Sequence, residues 1–280
     1  MPVYFIRSNQ IDQKKIHLDT ALEHHLRNVL RLKTGESVLL VDEQPKRYLA
    51  RVVTTHPLPM TLQIESEALP PSDHSPKIRL GVALIQREKM DWIVQKATEL
   101  GAARISPVIT ARTVVRPDLK RSVHQVTRWG KIALEAAQQS CRWDIPSVDA
   151  PVSLQHLFSE PALPTAAFRF IFAERLSKAA YAPEMEKAAV ESQASPRSRL
   201  REMARVMAVQ KNMAAPVDSG LLLIGPEGGW TPDELIQAVG LDFFPLSLGE
   251  RILRTETAVL AALAILNYEI SNGNDPTTLG

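Results

Sequence analysis

The sequence predicts an α/β protein in which a parallel-sheet domain follows a small β-rich domain. After residue 73, apolar strand-like runs alternate with helix-like stretches, a pattern typical of a parallel sheet. Before it, short strand patterns and a single helix pattern favour a small barrel. Between the two, the segment LPPSDHSP at 69–76 contains three prolines and extends neither a helix nor a strand. We therefore expect two domains, 1–72 and 73–280.

Composition narrows the class of protein. The 280 residues are 45% hydrophobic and 23% charged, which is typical of a globular chain. No apolar run approaches the roughly 20 residues that cross a bilayer, and the first residues lack a secretory-signal pattern. One cysteine, Cys141, and seven histidines without ligand spacing give no basis for a metal site. We expect a cytoplasmic protein without a metal and without a membrane partner.

Each predicted element has a local reason. In the first domain, Thr20 and Glu23 have capping-box spacing, which predicts a helix from there through Leu32. The predicted strands of this domain are Val3 to Ile6, Ser37 to Val41, Arg47 to Thr54 and Thr61 to Glu65. In the second domain, the predicted strands are Ile78 to Ile85, Arg104 to Ile109 and Phe168 to Ala173, and the predicted helices are Lys89 to Leu100 and Asp118 to Cys141. Residues 176–219 are polar and charged, which favours an exposed insertion.

Two strand-loop-helix units follow the insertion. In the first, the apolar run 221–224 ends in Gly-Pro-Glu-Gly-Gly, and Thr231, Pro232 and Glu234 form a helix start with a capping box; Gly240 is the predicted stop. In the second, strand 243–248 ends at Gly249 before an apolar helix over 258–270. Glycine loops at the carboxyl ends of parallel strands are ligand-binding places. Neither loop has a dinucleotide or polyphosphate motif, so the pattern favours a nucleoside-like ligand held by main-chain groups.

Positive charge is concentrated between residues 101 and 142, with eight basic and two acidic side chains. Such a run favours a phosphate-containing partner, although a solvated helix face explains it equally well. The arginines that we predict to face RNA, from this run and from the first domain, are Arg7, Arg27, Arg31, Arg112 and Arg116.

The two glycine loops also carry a family resemblance. IGPEGGWTPDE and LGERILRTETA are similar to the paired signature of the SPOUT methyltransferases and closely resemble the ribosomal RNA small subunit methyltransferase E family. MDWIVQKATELGAARISPVITAR and RWGKIALEAAQQSCRWDIP resemble that family's other two blocks. The first domain resembles its PUA-like RNA-binding β-barrel.

This resemblance implies a trefoil-knotted SPOUT domain, a homodimer and S-adenosylmethionine as methyl donor. It implies methylation at N3 of a uridine in 16S ribosomal RNA, with free RNA and the assembled small subunit both open as substrates. The residues that it places around the donor are Ala173, Glu174, Gly225, Pro226, Glu227, Gly228, Leu248, Gly249, Ile252, Leu253, Arg254 and Thr257.

Methylation at uracil N3 also needs a group that takes the N3 proton or stabilises the resulting anion. Glu135 or Glu256 is our candidate for the proton acceptor, and Arg142 or Arg254 for binding the anion or a phosphate. Ion pairs that shape the dimer or the knot explain the same residues equally well. Two other functions stay open: a SPOUT methyltransferase for another RNA or atom, and a non-catalytic RNA-binding or ribosome-assembly factor.

Overall fold

The computed structural model describes residues 2–56, 59–70, 77–115, 119–160, 168–173 and 219–272. The chain forms two compact units, one of Met1–Asp73 with Leu134–Ile145 and one of His74–Ala133 with Pro146–Gly280. The predicted boundary after residue 72 and the predicted insertion, apart from its last residue, lie outside the described residues.

The first unit contains a six-stranded sheet in the order β1-β4-β5-β6-β3-β2. Its strands are β1 (Val3–Phe5), β2 (Ile11–Asp12), β3 (Lys15–His17), β4 (Ser37–Val41), β5 (Arg47–Thr54) and β6 (Thr61–Ala68). β1 pairs with β4 in parallel, and the other pairs are antiparallel. The two edge strands, β1 and β2, are separated along the chain only by a short segment with a 3-10 turn, Ser8–Gln10, so the two edges of the sheet lie close together. Alternate side chains such as Leu40 and Leu62 are fully buried inside it.

The helix of this unit differs from the predicted one. α1 (Thr20–His24) is followed by one π-helical turn, His25–Val29. The cap is Asp19, whose Oδ1 accepts a hydrogen bond from the Leu22 amide at 2.8 Å, and Glu23 instead accepts one from the Met60 amide at 2.9 Å. The predicted capping box at Thr20 is therefore wrong, because Glu23 satisfies an amide just before β6. The predicted end at Leu32 is also too late, since Arg31 has a φ of 57° and cannot continue the helix.

Residues 134–145 attach to β5 within the same unit. The Arg47 guanidinium lies 3.8 Å from the centroid of the Trp143 ring, and its Nη2 donates to the Cys141 carbonyl at 2.8 Å. A cation over an aromatic face with a directed hydrogen bond is a stabilising contact. It fixes the turn that follows the long helix described next.

The second unit is built on a parallel sheet with the strand order β10-β8-β7-β12-β11-β13, and β9 pairs with β8. Its strands are β7 (Lys77–Ala83), β8 (Arg104–Ile109), β9 (Ser147–Val148), β10 (Val152–Ser153), β11 (Phe168–Phe172), β12 (Ser219–Ile224) and β13 (Phe244–Leu246). The described helices of the chain beyond α1 are α2 (Arg87–Glu99), α3 (Leu119–Gln139), α4 (Leu154–Phe158), α5 (Pro232–Gly240) and α6 (Thr255–Asn272). All strand pairs of the second unit's sheet are parallel. This confirms the predicted α/β class.

Helices cover both faces of this sheet. On one face, Ile93 of α2, Trp129 of α3 and Leu263 of α6 pack with strand residues such as Leu222. On the other face, Leu157 of α4 packs with Ile171 and Leu223. Because both faces are covered, the central strands are continuous apolar runs. The trefoil threading implied by the resemblance stays a prediction, since the described residues do not include the connection from β11 to β12.

Most boundaries in this unit agree with the sequence to within a few residues, and β8 matches its prediction. Gly240, however, is the last residue of α5 and not the left-handed stop; that conformation belongs to Asp242, with a φ of 60°. β9, β10 and α4 are too short to leave a periodic pattern. None of the described helices is long and apolar enough to cross a membrane.

Candidate functional site

Three strand ends converge at the carboxyl edge of the parallel sheet. β11 lies between β12 and β13, so the loops 225–231 and 247–254 flank its last residues. The Ala173 amide donates to the Leu246 carbonyl at 2.9 Å, which ties the end of β11 to the end of β13. The two glycine loops that the sequence singles out therefore face each other across one strand.

A pocket of about 490 Å³ lies between these loops. Of the predicted donor-binding residues, those lining it are Ala173, Gly225, Pro226, Leu248, Gly249 and Leu253. The lining residues that sequence reasoning missed are Phe172, Ile224, Gly229, Trp230, Ser247, Arg251, Thr255 and Ala258. Most of these are immediate neighbours of predicted residues in the chain, so extending each motif by a residue or two would have found them.

Trp230 forms a rigid wall of the pocket. Its ring is buried, and its Nε1 donates to the Phe172 carbonyl at 2.9 Å. A Cβ atom at Gly225 would lie 3.0 Å from the indole ring. Gly225 is therefore a glycine because the ring occupies the space where a side chain would lie.

Hydrogen bonds to the main chain hold the first loop. Thr255 Oγ1 donates to the Gly225 carbonyl at 3.0 Å, and the Gly229 amide donates to the Pro226 carbonyl at 2.8 Å. Arg112 Nη1 donates to the Gly228 carbonyl at 2.7 Å. Two side chains distant in sequence, Thr255 and Arg112, thus hold the backbone of this loop.

The helix after the loop begins as predicted. The Thr231 side chain accepts from the Glu234 amide at 3.2 Å, and Glu234 Oε2 accepts from the Thr231 amide at 2.8 Å, so the capping box is confirmed. Glu234 is also buried, and its Oε1 accepts from the Ala111 amide at 2.8 Å. One carboxylate therefore joins the segment after β8 to the start of α5.

A second concavity, of about 680 Å³, adjoins the pocket. We call it the charged groove; it is lined by Lys89, Glu227, Ile252, Leu253 and Arg254. Leu253 lines both cavities. Three residues that the resemblance assigns to the donor, Glu227, Ile252 and Arg254, thus line the groove and not the pocket. Gly228 and Thr257 line neither cavity.

Lys89 pairs with Glu227 inside the charged groove. A hydrogen bond from the Lys89 ammonium holds the pKa of the Glu227 carboxyl below its usual range, and Arg254 lowers it further. Lys89 also lies 4.0 Å from Glu256 Oε1, while the buried Oε2 of Glu256 has no hydrogen-bond partner among the described residues.

The four proposed catalytic residues fall in two groups. Arg254 and Glu256 belong to the second unit, beside the groove. Glu135 and Arg142 belong to the first unit, where Glu135 is exposed and Arg142 pairs with Asp144 at 2.8 Å.

Several arginines of the basic run pair with carboxylates that lie outside it. Arg104 binds Asp149 and Arg128 binds Asp91. These carboxylates neutralise part of the positive charge of the run, so less of it is available to a phosphate than the sequence indicates.

The predicted RNA-facing arginines differ in exposure and partners. Arg7 and Arg31 are exposed, Arg27 lies 3.9 Å from Glu23, and Arg112 holds the first glycine loop. Arg116, like the donor candidate Glu174, lies outside the described residues.

Comparison with known proteins shows which family combines these features. Residues 73–267 match an RNA methyltransferase domain, and residues 22–65 match an RNA methyltransferase PUA domain. Ribosomal RNA small subunit methyltransferase E of Bacillus subtilis is 32% identical, over 96% of this chain and 97% of its own length. The chain belongs to the ribosomal RNA small subunit methyltransferase E family.

Other members agree with this assignment. The Synechocystis member is 31% identical, over 94% of this chain and 76% of its own length. The crystal structure of the Neisseria gonorrhoeae member bound to S-adenosyl methionine is 27% identical, has a TM-score of 0.71, and covers 96% of this chain and 97% of its own. These matches confirm the predicted family and the fold class of a parallel-sheet methyltransferase domain preceded by a PUA-like domain.

Proposed function

We propose that this protein is an S-adenosylmethionine-dependent methyltransferase that methylates N3 of a uridine in 16S ribosomal RNA. The observation that carries the choice of donor is the pocket between the two glycine loops, and membership of the family supports ribosomal RNA as the acceptor. Its wall combines buried apolar side chains with main-chain groups of both loops, which suits a nucleoside with an uncharged sugar and base. The donor-bound relative from Neisseria gonorrhoeae has the same fold, which supports this choice of cofactor.

In this proposal the chain's own residues position the reactants. The residues of the pocket would hold the donor, which would supply a methyl group bonded to sulfur; alignment of that group with the acceptor nitrogen supplies much of the rate in such transfers. The S–CH₃ bond breaks as the N3–CH₃ bond forms, and the N3 proton leaves to a carboxylate. From the sequence, Glu256 or Glu135 is the candidate for accepting that proton, and Arg254 or Arg142 is the candidate for stabilising the uracil anion or binding a phosphate.

The RNA and the second subunit complete the proposal. Arg7 and Arg31, exposed on the PUA-like unit, contact phosphates together with Arg27, Arg112 and Arg116. The active form is a homodimer in the cytoplasm, and the substrate is either free 16S RNA or the assembled small subunit.

The test is donor binding followed by mapping of the product. Isothermal titration with S-adenosylmethionine checks the cofactor, and absence of binding would favour a non-catalytic RNA-binding factor. Small subunits and free 16S RNA from cells lacking the protein are then incubated with it, and the methylated nucleoside is identified by mass spectrometry. A methyl group on another atom or another RNA would overturn the N3-uridine assignment.

A single-turnover assay with saturating RNA separates the proton acceptors. A loss of about 10²-fold or more in Glu256→Gln or Glu135→Gln, the usual effect of losing a general base, would identify that residue as the proton acceptor. Full activity of one variant removes that residue as the base.

A further inference from the structure

We propose that the charged groove is the acceptor-base site, in which Lys89 stabilises the pyrimidine anion and Glu227 accepts the N3 proton. This inference rests on the proposed function and deepens it. Sequence motifs do not single out Lys89, which lies in the first turn of α2. Only folding brings it beside the two loops of the pocket.

The position of the groove is the first argument. Leu253 lines both the pocket and the groove, so the two cavities adjoin at this residue. A donor in the pocket and a flat base in the groove would lie side by side, as a direct methyl transfer requires.

The lining of the groove suits an unstacked pyrimidine nucleotide. Ile252 is 65% exposed and offers an apolar surface on which a base can lie. Lys89 and Arg254 supply cations for the base oxygens and for a phosphate.

The charges of Lys89 and Glu227 provide a route by which the N3 proton leaves the base. The Lys89–Glu227 pair is solvent-accessible, with 30% and 58% of the two side chains exposed, so Lys89 exchanges its partner at little cost. When Lys89 turns to an oxygen of the base, it releases the Glu227 carboxylate to accept the N3 proton. The N3–H bond breaks, the N3–CH₃ bond forms, and the positive sulfonium becomes a neutral thioether. Charge balances, because one carboxylate and one sulfonium are neutralised together.

The remaining charged groups keep Lys89 in place. Glu256, at the start of α6, lies 4.0 Å from the Lys89 ammonium on its Oε1 side. Its Oε2 is buried without a hydrogen bond to any described residue, and Glu256 does not line the groove. Arg254 contributes a second cation near Glu227. In this assignment Glu256 holds Lys89, and Glu227 carries out the proton transfer.

The experiment compares Lys89→Met, Lys89→Arg and Glu227→Gln in the full-length protein, with S-adenosylmethionine titrations and single-turnover methylation of saturating small subunits between pH 6 and 9. Lys96→Met is the matched control, since Lys96 lies on the same helix and pairs only with Glu99 within the described residues. We expect donor affinity within about twofold of wild type in all four variants.

The rate of single-turnover methylation should differ among the four variants. Lys89→Met should lose about 10²-fold, the usual effect of removing one preorganised anion-stabilising group, and Lys89→Arg should recover most of it. Wild type should be nearly independent of pH in this range, whereas the rate of Glu227→Gln should rise about tenfold per pH unit as hydroxide replaces the carboxylate. Lys96→Met should behave as wild type.

Two results would overturn the inference. If Lys89→Met or Glu227→Gln loses donor binding together with methylation, the pair belongs to the donor site. If both methylate at the wild-type rate and with its pH profile, the groove is not the acceptor site. Wild type that methylates no uridine at N3 would overturn the proposed function itself, so the two failures are distinguishable.

Discussion

A methyl group added at Gly225 tests how the pocket is built. In Gly225→Ala the new Cβ would lie 3.0 Å from both Cε2 and Nε1 of Trp230 and 3.4 Å from its Cδ1. Carbon atoms in good contact lie about 3.5 to 4.0 Å apart. The ring has little room to retreat, because it is only 7% exposed and its Nε1 is bonded to the Phe172 carbonyl. The substitution therefore has to displace the indole or the loop.

The size of the effect follows from the contact. Overpacking by one methyl in a tight site costs about 1–3 kcal/mol. For a domain of this size, Tm falls by roughly 2–4 °C per kcal/mol, which predicts a loss of about 2–12 °C. The displaced ring is a wall of the pocket, so S-adenosylmethionine affinity should fall as well. A loss of about 1.4 kcal/mol in binding is a tenfold increase in Kd, and we expect at least that.

Differential scanning calorimetry and isothermal titration measure both effects. Gly130→Ala is the control, because Gly130 lies inside α3 and a Cβ there meets nothing within 4 Å. That variant should be more stable by about 0.5–1 kcal/mol, since alanine is the better helix former. It should bind the donor like wild type. Wild-type Tm and affinity in Gly225→Ala would refute the packing argument.

Two further predictions concern carboxylates that hold the second unit together. Glu234→Ala should lower the free energy of unfolding of this unit by about 1–3 kcal/mol in urea, because the backbone amides of Ala111 and Thr231 both lose the carboxylate that accepts their hydrogen bonds. Glu160 accepts hydrogen bonds from the Arg79 guanidinium, which holds the pKa of its carboxyl below the usual range. A lowered carboxyl pKa stabilises the fold above the unfolded pKa of about 4.3, and this contribution disappears as pH falls through the folded value. Glu160→Gln should therefore be less stable than wild type at pH 7, and this difference should shrink as pH falls below about 4.3.

Each has an outcome that would contradict it. For the first, a Glu234→Ala midpoint equal to that of wild type would mean that water satisfies the Ala111 amide. For the second, a stability difference between Glu160→Gln and wild type that stays constant from pH 7 to pH 3 would mean that the carboxylate charge is irrelevant to the pair.

Sequence patterns predict regular elements here when the signal is local and sustained. The alternation of β4 and β5, the apolar run of β12 and the capping box at Thr231 each lie within about ten residues, and the structure contains all of them. The start of α1 shows the opposite case. Thr20 and Glu23 have capping-box spacing, yet Glu23 is used by the Met60 amide, a partner far along the chain. A spacing rule cannot include that competition.

The same division holds for the candidate site. The glycine loops follow from sequence, because glycines directly after a buried strand are typical of a backbone that turns sharply or comes close to a ligand. The amount of unpaired positive charge in the basic run does not follow from sequence, since Arg104 and Arg128 pair with carboxylates from other segments. Lys89 carries no signal in its own helix.

The sequence by itself determined the α/β class, the family and the two loops that form the pocket, because these depend on short-range patterns of apolar residues, glycines and caps. Tertiary structure alone decided the division of the loop residues between pocket and groove. It also decided the contact of Trp230 with Gly225 and the meeting of Lys89 with Glu227, whose residues lie 138 apart along the chain. Parallel pairing brings distant strand ends to one edge of the sheet, and the packing of α2 and α6 against it places their side chains there. Such long-range placement depends on the whole core, and no local pattern encodes it.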